Sequence, residues 1–416
     1  MVNFKTLDDF NVENKTVIVR VDFNSEVDPQ TKKVTNDTRI RAYSFTLQEL
    51  SEKGAKTVVL SHQGRKGDPD YTSLKQHAEI LQQILKCPVK YVDDLFGEKA
   101  KTAVKQLQAG EILVLENLRS WSGETKKGSP EQQSKTELVQ NLAPLADLFV
   151  SDAFSVAHRD NVSMVGFTAV LPSAAGRIME RELKHLSKAS ESPLHPCVYV
   201  MGGAKADDSL EISKYILSND VADNVLLGGV TSQLFMAAKG VDLGKNAMDF
   251  LAKKDLLQFI PGIQALLKEY PDKILLPIDV ALEVNGKRKE IPASKLPSEH
   301  PILDIGTKTV QQYVKIIEEA QSIVVSGPLG VYEKSEFCYG TQTVFEAIAN
   351  SNAFSLAGGG NTIAAIDQYG LTSKISYIST AGGALVEFLM GKKLPGVVAL
   401  ETATKTKKVI AEPAPA

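Results

Sequence analysis

Several things are scarce or missing in this chain, and each narrows what it can be. Its 416 residues include only three cysteines, Cys87, Cys197 and Cys338. They lie too far apart for a metal knuckle or a disulfide framework, so a reducing cytoplasm is the expected compartment. No run of about 18 uncharged apolar residues occurs, and the opening segment lacks the apolar stretch of a signal peptide. Neither membrane insertion nor export is expected. A formal net charge of -3 argues against a chain-wide nucleic-acid surface, which needs clustered cations. The lysines are scattered among acids, and the one basic cluster, Lys405 to Lys408, lies near the end. Also absent are the Gly-x-x-x-x-Gly-Lys-Ser/Thr loop, a Gly-x-Gly-x-x-Gly fingerprint after the first strand, and any internal repeat.

What is present is ordinary globular composition, 43% hydrophobic and 23% charged. The length exceeds the roughly 250 to 300 residues at which single cores stop growing, which predicts two domains. Short Val/Ile/Leu-rich runs recur at 16–23, 56–60, 112–115, 148–150, 198–201, 224–227, 274–278, 323–325, 353–356 and 375–378. Each is too continuous for a half-exposed strand and reads as a strand buried on both faces. Helix-period segments lie between them, one after a candidate cap at Asp37. Alternation of this kind predicts an α/β protein of two doubly wound parallel-sheet domains joined by a helix, with a cleft between them. The charged helical stretch Ala174 to Ala189 and the Pro-containing residues to Pro196 mark the junction. The expected domains are therefore 1–173, a helix and linker over 174–196, a second domain over 197–401, and a tail over 402–416 free to return to the first.

Ligands of open parallel sheets bind beyond the carboxyl ends of the strands, so the residues just after each run carry the chemistry. In the first half these are Asp22 and Asn24, Ser61 to Arg65, Glu116 to Arg119, and Asp152 leading to His158 and Arg159. Cations dominate. In the second half they are Gly202-Gly203-Ala204-Lys205, Gly228-Gly229, Gly327-Pro328-Leu329-Gly330, Gly358 to Thr362, and Thr380 to Gly383. Glycine dominates, which lets backbone amides and helix N-termini approach an anion. Any one Gly-Gly is most often a turn, and any one Arg a solvated charge. Recurrence at nine strand ends carries the argument.

The motifs Arg20-Val-Asp-Phe-Asn24, Asp37-Thr-Arg-Ile-Arg41, Ser61-His-Gln-Gly-Arg65, Glu116-Asn-Leu-Arg119 and Ala157-His-Arg159, followed by Gly202-Gly-Ala-Lys205, Gly327-Pro-Leu-Gly330 and Gly358-Gly-Gly360, occur in order. Together they resemble phosphoglycerate kinase across Val19 to Leu400, in its archaeal branch. The resemblance implies reversible phosphoryl transfer between ATP and the carboxylate of 3-phosphoglycerate, giving 1,3-bisphosphoglycerate and ADP. It implies a cationic basket of His62, Arg65, Arg119 and Arg159 around the substrate, with Asp22 and Asn24 at its carboxyl and hydroxyl end. Arg39, Lys205, Gly382 and Gly383 would stabilise the group in flight. Gly203, Gly228, Leu303, Pro328 and Glu333 would border the nucleoside, and Lys205, Gly360, Asn361 and Thr362 would also bind the nucleotide. Magnesium arriving with the nucleotide would meet only a weak partner, Asn361, and closure of the two domains would join the reactants. The resemblance also implies a monomer. Three positions depart from the common family pattern: Ser209 in place of a lysine, Asn361 in place of an aspartate, and Ser326 in place of an asparagine. A different small-molecule kinase or nucleotide-sugar enzyme, or an anion-binding module without catalysis, would fit the fold but not the ordered motifs.

Overall fold

The computed structural model of the chain describes residues 4–405. The expected tail and the basic cluster Lys405 to Lys408 therefore lie, from residue 406 on, outside the described residues. By packing the chain falls into two compact units, residues 1–184 with 393–416, and residues 185–392.

The first unit is built on six strands, Thr16–Arg20 (β1), Lys56–Leu60 (β2), Val89–Tyr91 (β3), Ile112–Val114 (β4), Leu148–Ser151 (β5) and Ser173–Ala175 (β6). They form one parallel sheet in the order β3-β4-β2-β1-β5-β6. The continuous apolar runs are explained by cores on both faces. Val17 and Val19 pack with Ile40, Leu47 and Leu50, while Ile18 between them packs with Val58, Phe149 and Phe167. Alternate residues of a strand point to opposite faces, so a strand buried on both must be apolar throughout. Emptying one such position, as in Phe149→Ala, is worth about 3–5 kcal/mol.

The second unit carries Cys197–Met201 (β7), Asn224–Leu227 (β8), Ile274–Leu275 (β9), Asp279–Val284 (β10), Lys287–Pro292 (β11), Ile302–Ile305 (β12), Ser322–Ser326 (β13), Phe354–Gly358 (β14) and Tyr377–Ser379 (β15). Six of these make a parallel sheet ordered β15-β14-β13-β7-β8-β9, and β11-β10-β12 form a small antiparallel sheet. The architecture is thus α/β with two parallel six-stranded sheets. The strand order reverses direction beside β1 in the first sheet and beside β7 in the second, and such switch points are where open sheets bind ligands.

Two expectations about the junction change. Residues 174 and 175 are not helical but belong to β6, where Ala175 donates to the Lys5 carbonyl at 2.8 Å and pairs with Ser151. The helix starts after Gly176, at Arg177–Ser190. Buried Asp152 seats that start, its Oδ1 accepting from the amides of Ile178 at 2.8 Å and Met179 at 3.0 Å. A side chain on Gly176 would come within 2.3 Å of the Asp152 carboxyl carbon, so only glycine fits. The division between units falls inside this helix. Residues 393–401, expected with the second domain, cluster with the first. There the Gly396 amide donates to the Ala157 carbonyl at 2.9 Å, and Leu394, Ala399 and Leu400 are buried. Among the described residues no helix is long and apolar enough to cross a membrane.

Candidate active site

In the first unit the residues after β1, β2, β4 and β5 are tied into one cluster. Asp22 is buried, and its carboxylate accepts from Arg39, from the Ser155 hydroxyl and, at 3.1 Å, from the Asn24 amide. Burial alone would raise its pKa, but Arg39, the Ser155 hydroxyl and Arg20 hold it below the usual carboxylate range. Asn24 Oδ1 in turn accepts from the Gly64 amide at 2.8 Å. Gly64 has φ of +60°, and a Cβ there would lie 2.6 Å from the Tyr71 nitrogen, which explains a glycine beside Arg65. Asn117 stitches the next loop on, donating to the carbonyls of Gln63 at 2.8 Å and Thr72 at 2.7 Å and accepting from the Arg119 amide at 3.0 Å.

Arg119 donates to the Gly64 carbonyl, and its guanidinium loses proton affinity first to burial and then to Arg159, Arg20 and Arg65. That mutual repulsion shows several cations facing one small volume, which is what an anion of multiple charge would relieve. Arg65 is exposed and Arg39 and Arg159 are half-buried, so these three reach toward solvent. His62 behaves differently from the expectation of a cation. Burial pushes its pKa down to about 3 against the opposing pull of Asp22, and the neighbouring Arg20, Arg119 and Arg159 push the same way as burial, so the ring is neutral.

In the second unit the switch point is made of backbone. Gly202 donates to the Ser326 carbonyl at 2.9 Å and Gly203 to the Pro328 carbonyl at 2.7 Å. A Cβ on Gly202 would lie 2.1 Å from the Pro328 oxygen, and one on Gly327, which has φ of +93°, 2.3 Å from the Gly202 oxygen. Beside this contact opens a cavity of about 490 Å³ whose lining includes Gly203, Leu303, Pro328, Glu333 and Asn361. Its size falls in the range of small-ligand sites, roughly 300–1,000 Å³.

Not every expected residue lines that cavity. Gly228 is buried against Leu329, which a Cβ would meet at 2.4 Å, and Gly229 lines the cavity instead. Thr362 is buried too, its hydroxyl accepting from the Gly327 amide at 2.7 Å, so it braces the loop. Lys205 stands at the N-terminal boundary of the helix Ala206–Ser218, without a side-chain bond to its amides, and is exposed. Gly360 begins the helix Gly360–Gln368, and Gly382 with φ of +56° precedes Gly383–Leu389, so both runs present helix N-termini. Gly327 to Gly330, by contrast, opens no helix. Gln233, Asn246 and Phe250 line the cavity without any signal in the strand-end pattern. Arg20, Glu124 and Ser163 are likewise buried beside the first cluster without having stood out.

A metal finds no ready-made cage. Among the described residues no group of three or more His, Cys, Asp or Glu side chains could hold an ion. Asn361 is exposed at the cavity and offers one neutral oxygen. The residues therefore fit a magnesium ion that arrives on phosphates and keeps its waters, and not a resident metal.

The family profile described as phosphoglycerate kinase matches residues 7–392. The chain belongs to the phosphoglycerate kinase family. It is 47% identical over 398 residues to the phosphoglycerate kinase of Methanothermobacter thermautotrophicus, covering 96% of this chain and 97% of that one. With that of Methanococcus maripaludis it shares 43% identity over 415 residues, covering 98% and 100%. The crystal structure of phosphoglycerate kinase from Pyrococcus horikoshii OT3 superposes with a TM-score of 0.85 at 41% identity, over 96% of this chain and 99% of that one. The Coxiella burnetii phosphoglycerate kinase structure gives 0.83 at 32% identity over the same shares. Within phosphoglycerate kinases this chain's Ser209 is a buried residue whose hydroxyl bonds the Lys205 carbonyl at 3.2 Å, so no cation replaces a lysine there.

Proposed function

We propose that this phosphoglycerate kinase transfers a phosphoryl group reversibly between ATP and the carboxylate of 3-phosphoglycerate, the first unit binding the acid and the second the nucleotide. The observation that carries the division of labour is the convergence of Arg65, Arg119 and Arg159 on one volume beside Asp22 and Arg39. A substrate bearing both a phosphate and a carboxylate suits it. The Asn24 carbonyl oxygen is engaged by Gly64, which leaves its amide NH₂ for the acid's hydroxyl end.

Arg39 is the residue assigned to the group in flight. Its tie to buried Asp22 leaves it half-buried and preoriented, and a planar fork of donors suits the equatorial oxygens of a metaphosphate-like transition state. The attacking carboxylate is already ionised at neutral pH, so no general base is needed. Lys205 and the amides at Gly382 and Gly383 take the remaining charge, and catalysis is alignment plus electrostatics. The cavity holds the nucleoside, with Leu303 and Pro328 against the base and Glu333 on the ribose. Asn361 would be the protein contact of a magnesium ion arriving with the nucleotide, which would supply charge neutralisation. The enzyme acts in glycolysis or gluconeogenesis as a cytoplasmic monomer, without nucleic acid or membrane as partner.

A coupled assay with ATP, magnesium and 3-phosphoglycerate tests the reading. Absence of turnover would return the chain to the kinases of other small molecules. Domain closure belongs to the same reading, and small-angle scattering that detects no compaction with both substrates present would remove it.

A further inference from the structure

Behind His62 lies a buried chain of polar groups that the reaction as described does not use. Arg20 heads the fully buried side chains by volume and is 1% exposed. All its nitrogens are committed. Nε donates to the Ser163 hydroxyl at 2.8 Å, one terminal nitrogen donates to the Val21 carbonyl, and the other lies 3.2 Å from His62 Nδ1. Ser163 passes the connection on, its hydroxyl donating to one oxygen of Glu124 at 2.7 Å and its amide to the other at 3.1 Å. Glu124 is also 1% exposed.

A guanidinium buried at this depth costs several kcal/mol unless its charge is balanced. Glu124 and Asp22 supply that balance, opposing the loss of proton affinity that burial imposes on Arg20. The chain therefore exists at a cost that a hydrophobic filling would avoid, and it meets the ligand cluster at His62. A guanidinium can only donate hydrogen bonds. Nδ1 of His62 accepts in that contact, which at 3.2 Å is shorter than the 3.7 Å from Nδ1 to Asp22 Oδ1, and this places the ring proton on Nε2. The charges facing the ring are Asp22, Arg20, Arg119 and Arg159.

We propose that Arg20, anchored through Ser163 to Glu124, is a positioning residue that fixes His62 as the neutral Nε2–H tautomer. The ring then meets the anionic substrate as a directed donor and not as one more cation, while the arginines carry the charge. The identity of that substrate rests on the phosphoglycerate kinase reading; the tautomer does not.

The test uses the full chain labelled with ¹⁵N and two-bond ¹H–¹⁵N spectra of the histidine rings at pH 7, with His62→Gln to assign the signal. The wild type should show only the Nε2–H pattern. Arg20→Lys keeps a positive charge for Glu124 but cannot span Ser163 and His62 together. It should mix in the Nδ1–H form and raise KM for 3-phosphoglycerate about tenfold, the worth of one directed hydrogen bond, with kcat within about threefold. Ser163→Ala, which alters no charge, should shift the ring pattern in the same direction and gives the reading if Arg20→Lys does not fold. An imidazolium or an Nδ1–H ring in the wild type would overturn the proposal, as would an unchanged ring in both variants. A wild type with the Nε2–H ring but no turnover of 3-phosphoglycerate would instead overturn the functional reading.

Discussion

The two half-sites are built by opposite means. In the first unit side chains hold side chains: Asp22 grips Arg39, Asn117 grips the loops of Gln63 and Arg119, and Glu124 balances Arg20 through Ser163. In the second unit backbone meets backbone, with Gly202 and Gly327 so close that neither accepts a Cβ. The first site is thereby sensitive to charge and the second to volume. The comparison can be broken at four points.

The largest effect is expected from Arg39→Ala, a fall in turnover on the order of 10³-fold by analogy with other charge-stabilising arginines. Near-normal kcat in the coupled assay would remove Arg39 from the transition state. Gly202→Ala tests the volume side. The added methyl would meet backbone on every near side, the Pro328 oxygen at 2.1 Å, its carbonyl carbon at 2.7 Å and the Gly327 oxygen at 3.0 Å, so a loss of about 3 kcal/mol is expected in chemical denaturation of the second unit's transition. Unaltered stability would show that the switch point can open.

His62→Gln sharpens the charge side through pH. The ring's pKa drops from 6.5 to about 3 on folding. Between those values the unfolded chain binds a proton that the folded one does not. The stability is whole above pH 6.5 and is lost as pH falls toward 3. Removing the ring should flatten denaturation-derived stability in that window by about 1.4 kcal/mol per pH unit. An equal acid slope in the variant would mean that His62 titrates normally. The smallest effect belongs to Asn361→Asp, which should lower the magnesium needed for half-maximal rate by about threefold, since a carboxylate adds charge to an otherwise neutral contact. An unmoved magnesium titration would take Asn361 away from the metal.

Legibility in the sequence followed burial. Strands buried on both faces, such as β1 and β13, announce themselves because every residue must be apolar. β3, Val-Lys-Tyr, and β11, largely charged and exposed, carry no such run, and the antiparallel sheet went unread with them. β6, Ser-Ala-Ala, has helix-forming composition and merged into the helix that follows; Gly176 is the only mark of the break. The strand-end rule located Asp22, His62 and Arg119 because topology puts them there. It could not separate residues that touch a ligand volume from those that brace it, which is why Gly228 and Thr362 proved to be packed inside. Nor could it find Arg20, an arginine that ends an apolar strand and looks like its polar terminus. Asp37 did precede its helix, Thr38–Glu52, yet its carboxylate pairs with Arg41 at 2.7 Å and does not cap the helix amides.

The return of residues 393–405 to the first unit has a consequence for biosynthesis. The second unit is one uninterrupted stretch, 185–392, and can complete its fold as soon as that stretch has left the ribosome. The first unit, although made earlier, must wait for the helix Pro395–Lys405 to cover β6 and the Ala157 turn. The half translated first is therefore the half finished last, and the cluster around Asp22 waits on a helix made more than 200 residues after it.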